Sequence, residues 1–187
     1  MLKRWLGIGI GALTALTAAC DGAPMTQQVY IKGTGVLSYL RYAAAEGPML
    51  VQVHGNPFVT SKPFLDGIVA KELEETITYI KGVHLTTDAE KAFRPEYRII
   101  VVLGAHKAQD GQALCDGETP RLDPEADPMR MVAVFCRKTE VLSWVNGSIR
   151  ADSSPDDKRF RNWLGQIGRD LINPEIIELW MYPRPDD

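Results

Sequence analysis

The stretch that most restricts the fold is Arg98 to Leu103, because every position after Arg98 is apolar. A strand with one wet face alternates apolar with polar side chains, so an unbroken apolar run of this length needs cover on both faces. The run therefore predicts a central strand. From Pro63 to Ile80 the pattern changes period: Phe64, Leu65, Ile68, Val69, Leu73, Ile77 and Ile80 recur at three and four. This spacing predicts an amphipathic helix, with Ser61 as its cap and Pro63 tolerated in the first turn.

The remaining elements are read in the same way. Met131 to Cys136 and Val141 to Val145 are β-rich runs separated by Arg137, Lys138, Thr139 and Glu140, which predicts a hairpin, with Asn146 and Gly147 marking a turn or bulge after it. Gly35 to Tyr42 alternates, Met49 to His54 is apolar at its start, and Gly47 with Pro48 punctuates the chain between them, so an earlier hairpin is expected. Ser154, Pro155, Asp156 and Asp157 have the composition of a helix start, and Phe160, Trp163, Leu164, Ile167 and Leu171 supply its buried stripe before Asn173 and Pro174 stop it. A short apolar segment, Ile176 to Tyr182, precedes a Pro and Asp tail (183–187) expected to fray. Strands and helices in this order predict an α+β two-layer sandwich, with a mostly antiparallel sheet of about five strands, two amphipathic helices and one domain over residues 29–182. The layout is broadly similar to the small α+β domains of several envelope-assembly lipoproteins, a likeness of element order with no shared motif.

Composition limits the function classes. With 45% hydrophobic and 24% charged residues, the 187-residue chain is that of an ordinary folded protein, neither disordered nor built of many membrane spans. Its formal net charge of -3 lacks the basic excess of a nucleic-acid binder.

The N-terminus carries the most specific signal. Lys3 and Arg4 precede an uncharged apolar run, Trp5 to Ala19, in the layout of a secretory signal. As a helix that run would reach about 22 Å, short of the ~30 Å hydrocarbon core of a bilayer. It ends in Leu16, Thr17, Ala18, Ala19 and Cys20, which resembles the lipobox of bacterial lipoproteins, although Thr17 stands where that family most often has Leu. The resemblance implies removal of residues 1–19, acylation of Cys20 with palmitate-type chains, and a periplasm-facing body held to an envelope membrane. Asp21 resembles the inner-membrane retention signal that the same family uses in some bacteria. Thr17 and Ala19 also spell an ordinary small-x-small cleavage site, and an uncleaved anchor is a third reading. Residues 20–28 would then be the lipidated cysteine and a short tether, the part from Asp21 to Gln28 being at most about 26 Å long. Losing Lys3 and Arg4 takes the formal charge from -3 to -5. Anionic lipid would repel such a body, so acyl chains must do the anchoring.

Three cysteines fit this scheme: with Cys20 as lipid acceptor, Cys115 and Cys136 remain as an even pair in a compartment that permits a disulfide. Two unpaired thiols are the alternative.

Candidate chemistry is sparse. Val53, His54, Gly55, Asn56 and Pro57 resemble the strand-end loop of α/β-hydrolases, in which the backbone after such a His-Gly pair helps bind developing negative charge. That family also requires a nucleophile elbow at a later strand-to-helix turn, whereas Gly104, Ala105, His106, Lys107 and Ala108 offer no Ser, Asp or Cys there. His54, His84 and His106 are far apart and match no metal-ligand spacing. His106 and Asp110 are spaced to pair as base and orienter, with no nucleophile beside them. Asp123, Glu125 and Asp127 have the every-second spacing that opens a calcium loop, but Pro128 stands where an EF-hand needs Gly and no Glu closes the loop. Lys32, Gly33, Thr34 and Gly35 lack the third Gly of a nucleotide-binding turn and read as strand-entry chain.

The expectation is a lipid-anchored envelope protein with no cofactor, metal or nucleic-acid ligand, binding another envelope protein or a glycan without catalysis. His54, Asn56 and Phe58 mark its candidate binding surface. The alternative is a small envelope hydrolase using His54 or His106.

Overall fold

The computed structural model describes residues 23–33, 35–77, 82–150 and 154–172. In chain order the elements are β1 (Met25–Ile31), α1 (Gly35–Ala43), β2 (Met49–His54), α2 (Lys62–Thr76), β3 (Leu85–Thr86), β4 (Tyr97–Leu103), α3 (Gly111–Cys115), β5 (Met129–Arg137), β6 (Glu140–Ile149) and α4 (Lys158–Ile172). The six strands form one open mixed sheet in the order β1-β6-β5-β4-β2-β3. This is the α+β class expected. β1 with β6, β6 with β5 and β5 with β4 are antiparallel, whereas β2 runs parallel to both β4 and β3.

The apolar run lies inside the sheet as β4, flanked by β5 and β2. Its alternate side chains enter two separate apolar clusters. Ile99, Val101 and Leu103 join the main core, where the buried stripes of α1, α2 and α4 meet one face. Ile100 and Val102 face the other way, to a smaller cluster with Leu114 and Cys115 of α3 and Val132, Val134 and Cys136 of β5. α3 packs so closely there that a Cβ on Gly111 would lie 2.7 Å from the Trp144 ring. Among the described residues, the sheet is thus covered by three helices on one face and by a single short helix on part of the other.

The expected disulfide is present: Cys115 at the end of α3 is bonded to Cys136 in β5, with Cα atoms 5.6 Å apart. The β5–β6 hairpin is present as well, and Lys138 takes a positive φ of 53° in its turn. Among the described residues no helix is long and apolar enough to cross a membrane.

Four expectations are corrected. Gly35–Ala43 is a helix, not the first strand of a hairpin, because Val36, Leu40 and Ala43 turn together into the core. β1, which the sequence reading left partly in the tether, begins at Met25 and pairs with β6 along the sheet edge. Asn146 and Gly147 lie within β6, paired to Val132 and Met131, and do not end the strand. Gly147 is small because Trp163 and Ile167 of α4 press on it: a Cβ would meet Ile167 at 2.7 Å. Lastly, α4 starts at Lys158, not at Pro155. Its first free amides are met by Asp157, whose Oδ1 accepts from Arg159 N at 2.6 Å and whose carbonyl accepts from Arg161 N at 3.0 Å. Ser154 instead closes the preceding turn, accepting from Asp157 N at 3.0 Å. Ser61 does sit at the cap position of α2, but its side chain makes no capping bond. Cys20, the end of the Pro63 to Ile80 pattern beyond Ile77, and residues 176–187 lie outside the described residues.

Candidate functional site

β2 and β4 are paired in register, Leu50 to Arg98, Gln52 to Ile100 and His54 to Val102. Because side chains alternate across a strand, these six residues share one face of the sheet. It is the face α3 covers, but α3 has only five residues and lies over β5 and β6. The β2–β4 half is left as the floor of a groove of about 650 Å³. Leu50 and Ile100 make its apolar base, and the loop from Gly117 to Pro120, directly after the disulfide, forms one wall.

Three polar side chains line this floor. Gln52 makes no side-chain hydrogen bond among the described residues. Arg98 is half-buried and has no carboxylate partner among them; its guanidinium donates to the carbonyls of Cys115 at 2.9 Å and Lys138 at 3.0 Å. It thereby satisfies a carbonyl at the end of α3, where a cation is favoured. Burial lowers its pKa from the ordinary value, but an arginine remains cationic at neutral pH. His54 stands at the far end of the floor, its pKa held below the ordinary 6.5 first by burial and then by the nearby Lys62 ammonium, with Asp66 opposing. The imidazole is therefore mainly neutral at pH 7, able to donate and accept one hydrogen bond each. Lys62 is itself held between the Val53 carbonyl, at 2.7 Å, and Asp66.

The other surface residues predicted from sequence do not join His54 here. Asn56 locks its own loop: Nδ2 donates to Thr60 O at 2.8 Å and Oδ1 accepts from Phe58 N at 3.2 Å. Phe58 turns inward and meets Phe160 of α4 edge to face, ring centroids 4.9 Å apart. Val59, between these anchors and Thr60, is fully exposed at the loop tip. Neither His54 nor His106 forms a hydrogen bond to a carboxylate, Ser or Cys among the described residues. His106 Nδ1 accepts from Ala108 N at 3.2 Å, and Asp110 caps α3 by accepting from Gln112 N and Ala113 N, so the expected base and orienter do not meet. His84 lies elsewhere, 3.3 Å from Glu74.

No group of three His, Cys, Asp or Glu side chains comes together among the described residues. Asp123 and Asp127 instead face Arg130 in β5 at 3.6 Å and Arg150, just beyond β6, at 3.7 Å. Sequence reasoning missed Gln52 and Arg98. The signal was available in Arg98 itself, a charge opening an otherwise apolar strand, but locating the groove requires knowing that α3 stops short.

No family model matches the chain, and no curated protein matches it. Among solved structures it is similar to the PelC dodecamer from Paraburkholderia phytofirmans and to a point variant of it, at 11% and 10% identity. In both cases the TM-score is 0.45, with 80% of this chain and 98% of the other covered.

Proposed function

We propose that the chain is an envelope lipoprotein, acylated at Cys20, whose folded body binds another envelope protein or a glycan through the β2–β4 groove. The observation that carries the binding role is the groove floor: Gln52 and His54 present polar atoms without hydrogen bonds among the described residues, beside Leu50 and Ile100. A concave apolar surface with a few convergent polar groups is the usual make-up of a ligand site. Pairing of Cys115 with Cys136 leaves Cys20 as the odd cysteine, which supports the lipobox resemblance and a compartment where disulfides persist. β1 begins five residues after Cys20, so the acyl chains would keep the body close to the bilayer.

Two measurements test this. Intact mass of the natively produced protein should show loss of residues 1–19 and the added mass of acyl chains on Cys20; an unmodified thiol there removes the anchor. Photo-crosslinking from position 52 in native envelopes should trap a reproducible partner that the same probe at Lys71, on α2, does not. Equal or absent trapping at both positions overturns the groove as the binding surface.

A further inference from the structure

A second groove, of about 620 Å³, lies between α2 and α4 on the opposite side of the sheet, and Pro24 and Thr26 form part of its wall. It is lined by Arg159, Arg161 and Arg169 from α4 and by Glu72 and Glu75 from α2. The carboxylates are engaged: Glu72 faces Arg161 at 3.4 Å and Glu75 faces Lys71 at 3.7 Å. Arg161 also bonds Asp156 at 2.6 Å, so both its terminal nitrogens are paired, and its buried Nε, which has no hydrogen-bond partner among the described residues, is closed to the groove. Arg169 is exposed, donates to Gln166 at 2.9 Å and has no carboxylate partner among the described residues. Gly165 lines the groove beside it. Three arginines against two glutamates that already have partners make this groove locally cationic in a chain whose overall charge is negative, with Arg169 as its exposed cation.

Its position identifies the anion. Four residue steps separate Pro24 from Cys20, at most about 14 Å of chain, so an acyl group on Cys20 would hold this wall of the groove beside the lipid headgroups. We infer that this groove binds the headgroup phosphate of anionic lipid beside the anchor, setting which face of the body meets the membrane. The inference rests on the acylation of Cys20 proposed above.

The test uses the natively produced chain, its N-terminal mass recorded first. Reconstituted into phosphatidylcholine vesicles, it is followed by amide hydrogen exchange of residues 158–166 as phosphatidylglycerol is added. Exchange should slow with phosphatidylglycerol, and the apparent affinity should fall about fivefold in Arg169→Gln, with most of it retained in Arg169→Lys. Inorganic phosphate added to phosphatidylcholine vesicles should leave the exchange unchanged. Indifference to phosphatidylglycerol overturns the inference, and an equal response to inorganic phosphate overturns the lipid as its ligand. Should the mass show an unmodified Cys20, flotation with phosphatidylglycerol but not phosphatidylcholine vesicles would keep the groove and remove the anchor; flotation with neither would remove both.

Discussion

At Gly55, where β2 leaves the sheet, the backbone adopts a φ of +75°, and a Cβ would lie 2.0 Å from the Leu103 carbonyl oxygen. The neighbour is backbone in the central strand and has no rotamer with which to yield. Gly55→Ala should therefore cost about 3 kcal/mol or more, read as a lowered urea midpoint at unchanged slope. One residue earlier, His54 links the groove to pH. Burial lowers its folded pKa below 6.5, so between that lowered value and 6.5 the unfolded chain binds the extra proton. Stability contributed at this position is complete above pH 6.5 and declines as the pH falls through the window beneath it. Unfolding midpoints of His54→Gln should lack this part of the acid loss, so the gap between variant and wild type shifts below pH 6.5 and stays constant above it. Parallel curves across the whole range would show that burial of the ring has no energetic consequence.

At the scale of elements, the disulfide joins the groove wall to the sheet. Cys115 is bonded to Cys136, its carbonyl accepts from Arg98, and the wall from Gly117 to Pro120 follows directly. Closing a loop with a sequence separation of 21 restricts the unfolded chain by about 3 kcal/mol. Replacing both cysteines by Ala should lower Tm by about 6 to 12 °C. It should also quicken amide exchange over residues 111–120 more than in β5, whose ladder bonds survive the loss. Equal quickening in both would mean that the bond braces the whole fold, not the wall. The elements that were legible from sequence carry distinct signals: α2 its three-and-four spacing, β4 an unbroken apolar run buried on both faces, and the β5–β6 hairpin two β-rich runs about a polar turn. α1 was misread because Val36, Ser38, Leu40 and Tyr42 sit at every second position, the same period as a strand, although Val36, Leu40 and Ala43 also satisfy a helix. β1 was missed for a different reason: as an edge strand containing Thr26, Gln27 and Gln28, it packs little apolar surface and leaves no strong pattern. His54 was legible as a candidate from its loop motif. Gln52 and Arg98 were not, since what exposes them is the shortness of α3.

At the scale of the molecule, the strand nearest the proposed anchor is also a sheet edge, paired only with β6 among the described residues. Its attachment to the helical layer runs through Asp170, a buried residue near the end of α4. The Asp170 carboxylate accepts from the Thr26 hydroxyl and from Gln166 Nε2 at 2.6 Å, its carbonyl accepts from Gln28 Nε2 at 2.6 Å, and Trp163 Nε1 donates to the Met25 carbonyl at 3.0 Å. Were Cys20 acylated as proposed, a pull from the anchor would load these bonds and the β1–β6 ladder before it reached the core. Asp170→Ala removes the shared acceptor of Thr26 and Gln166 from a part-buried site, a loss of about 2 kcal/mol. Asp170→Asn keeps one carbonyl oxygen and should lose about half as much. The damage should be local as well as global: amides of Met25 to Tyr30 should exchange faster by more than the overall destabilisation explains, while those of β4 and β5 follow global stability. Uniform acceleration across all strands would instead assign Asp170 to the core as a whole, and leave β1 held by its ladder with β6 alone.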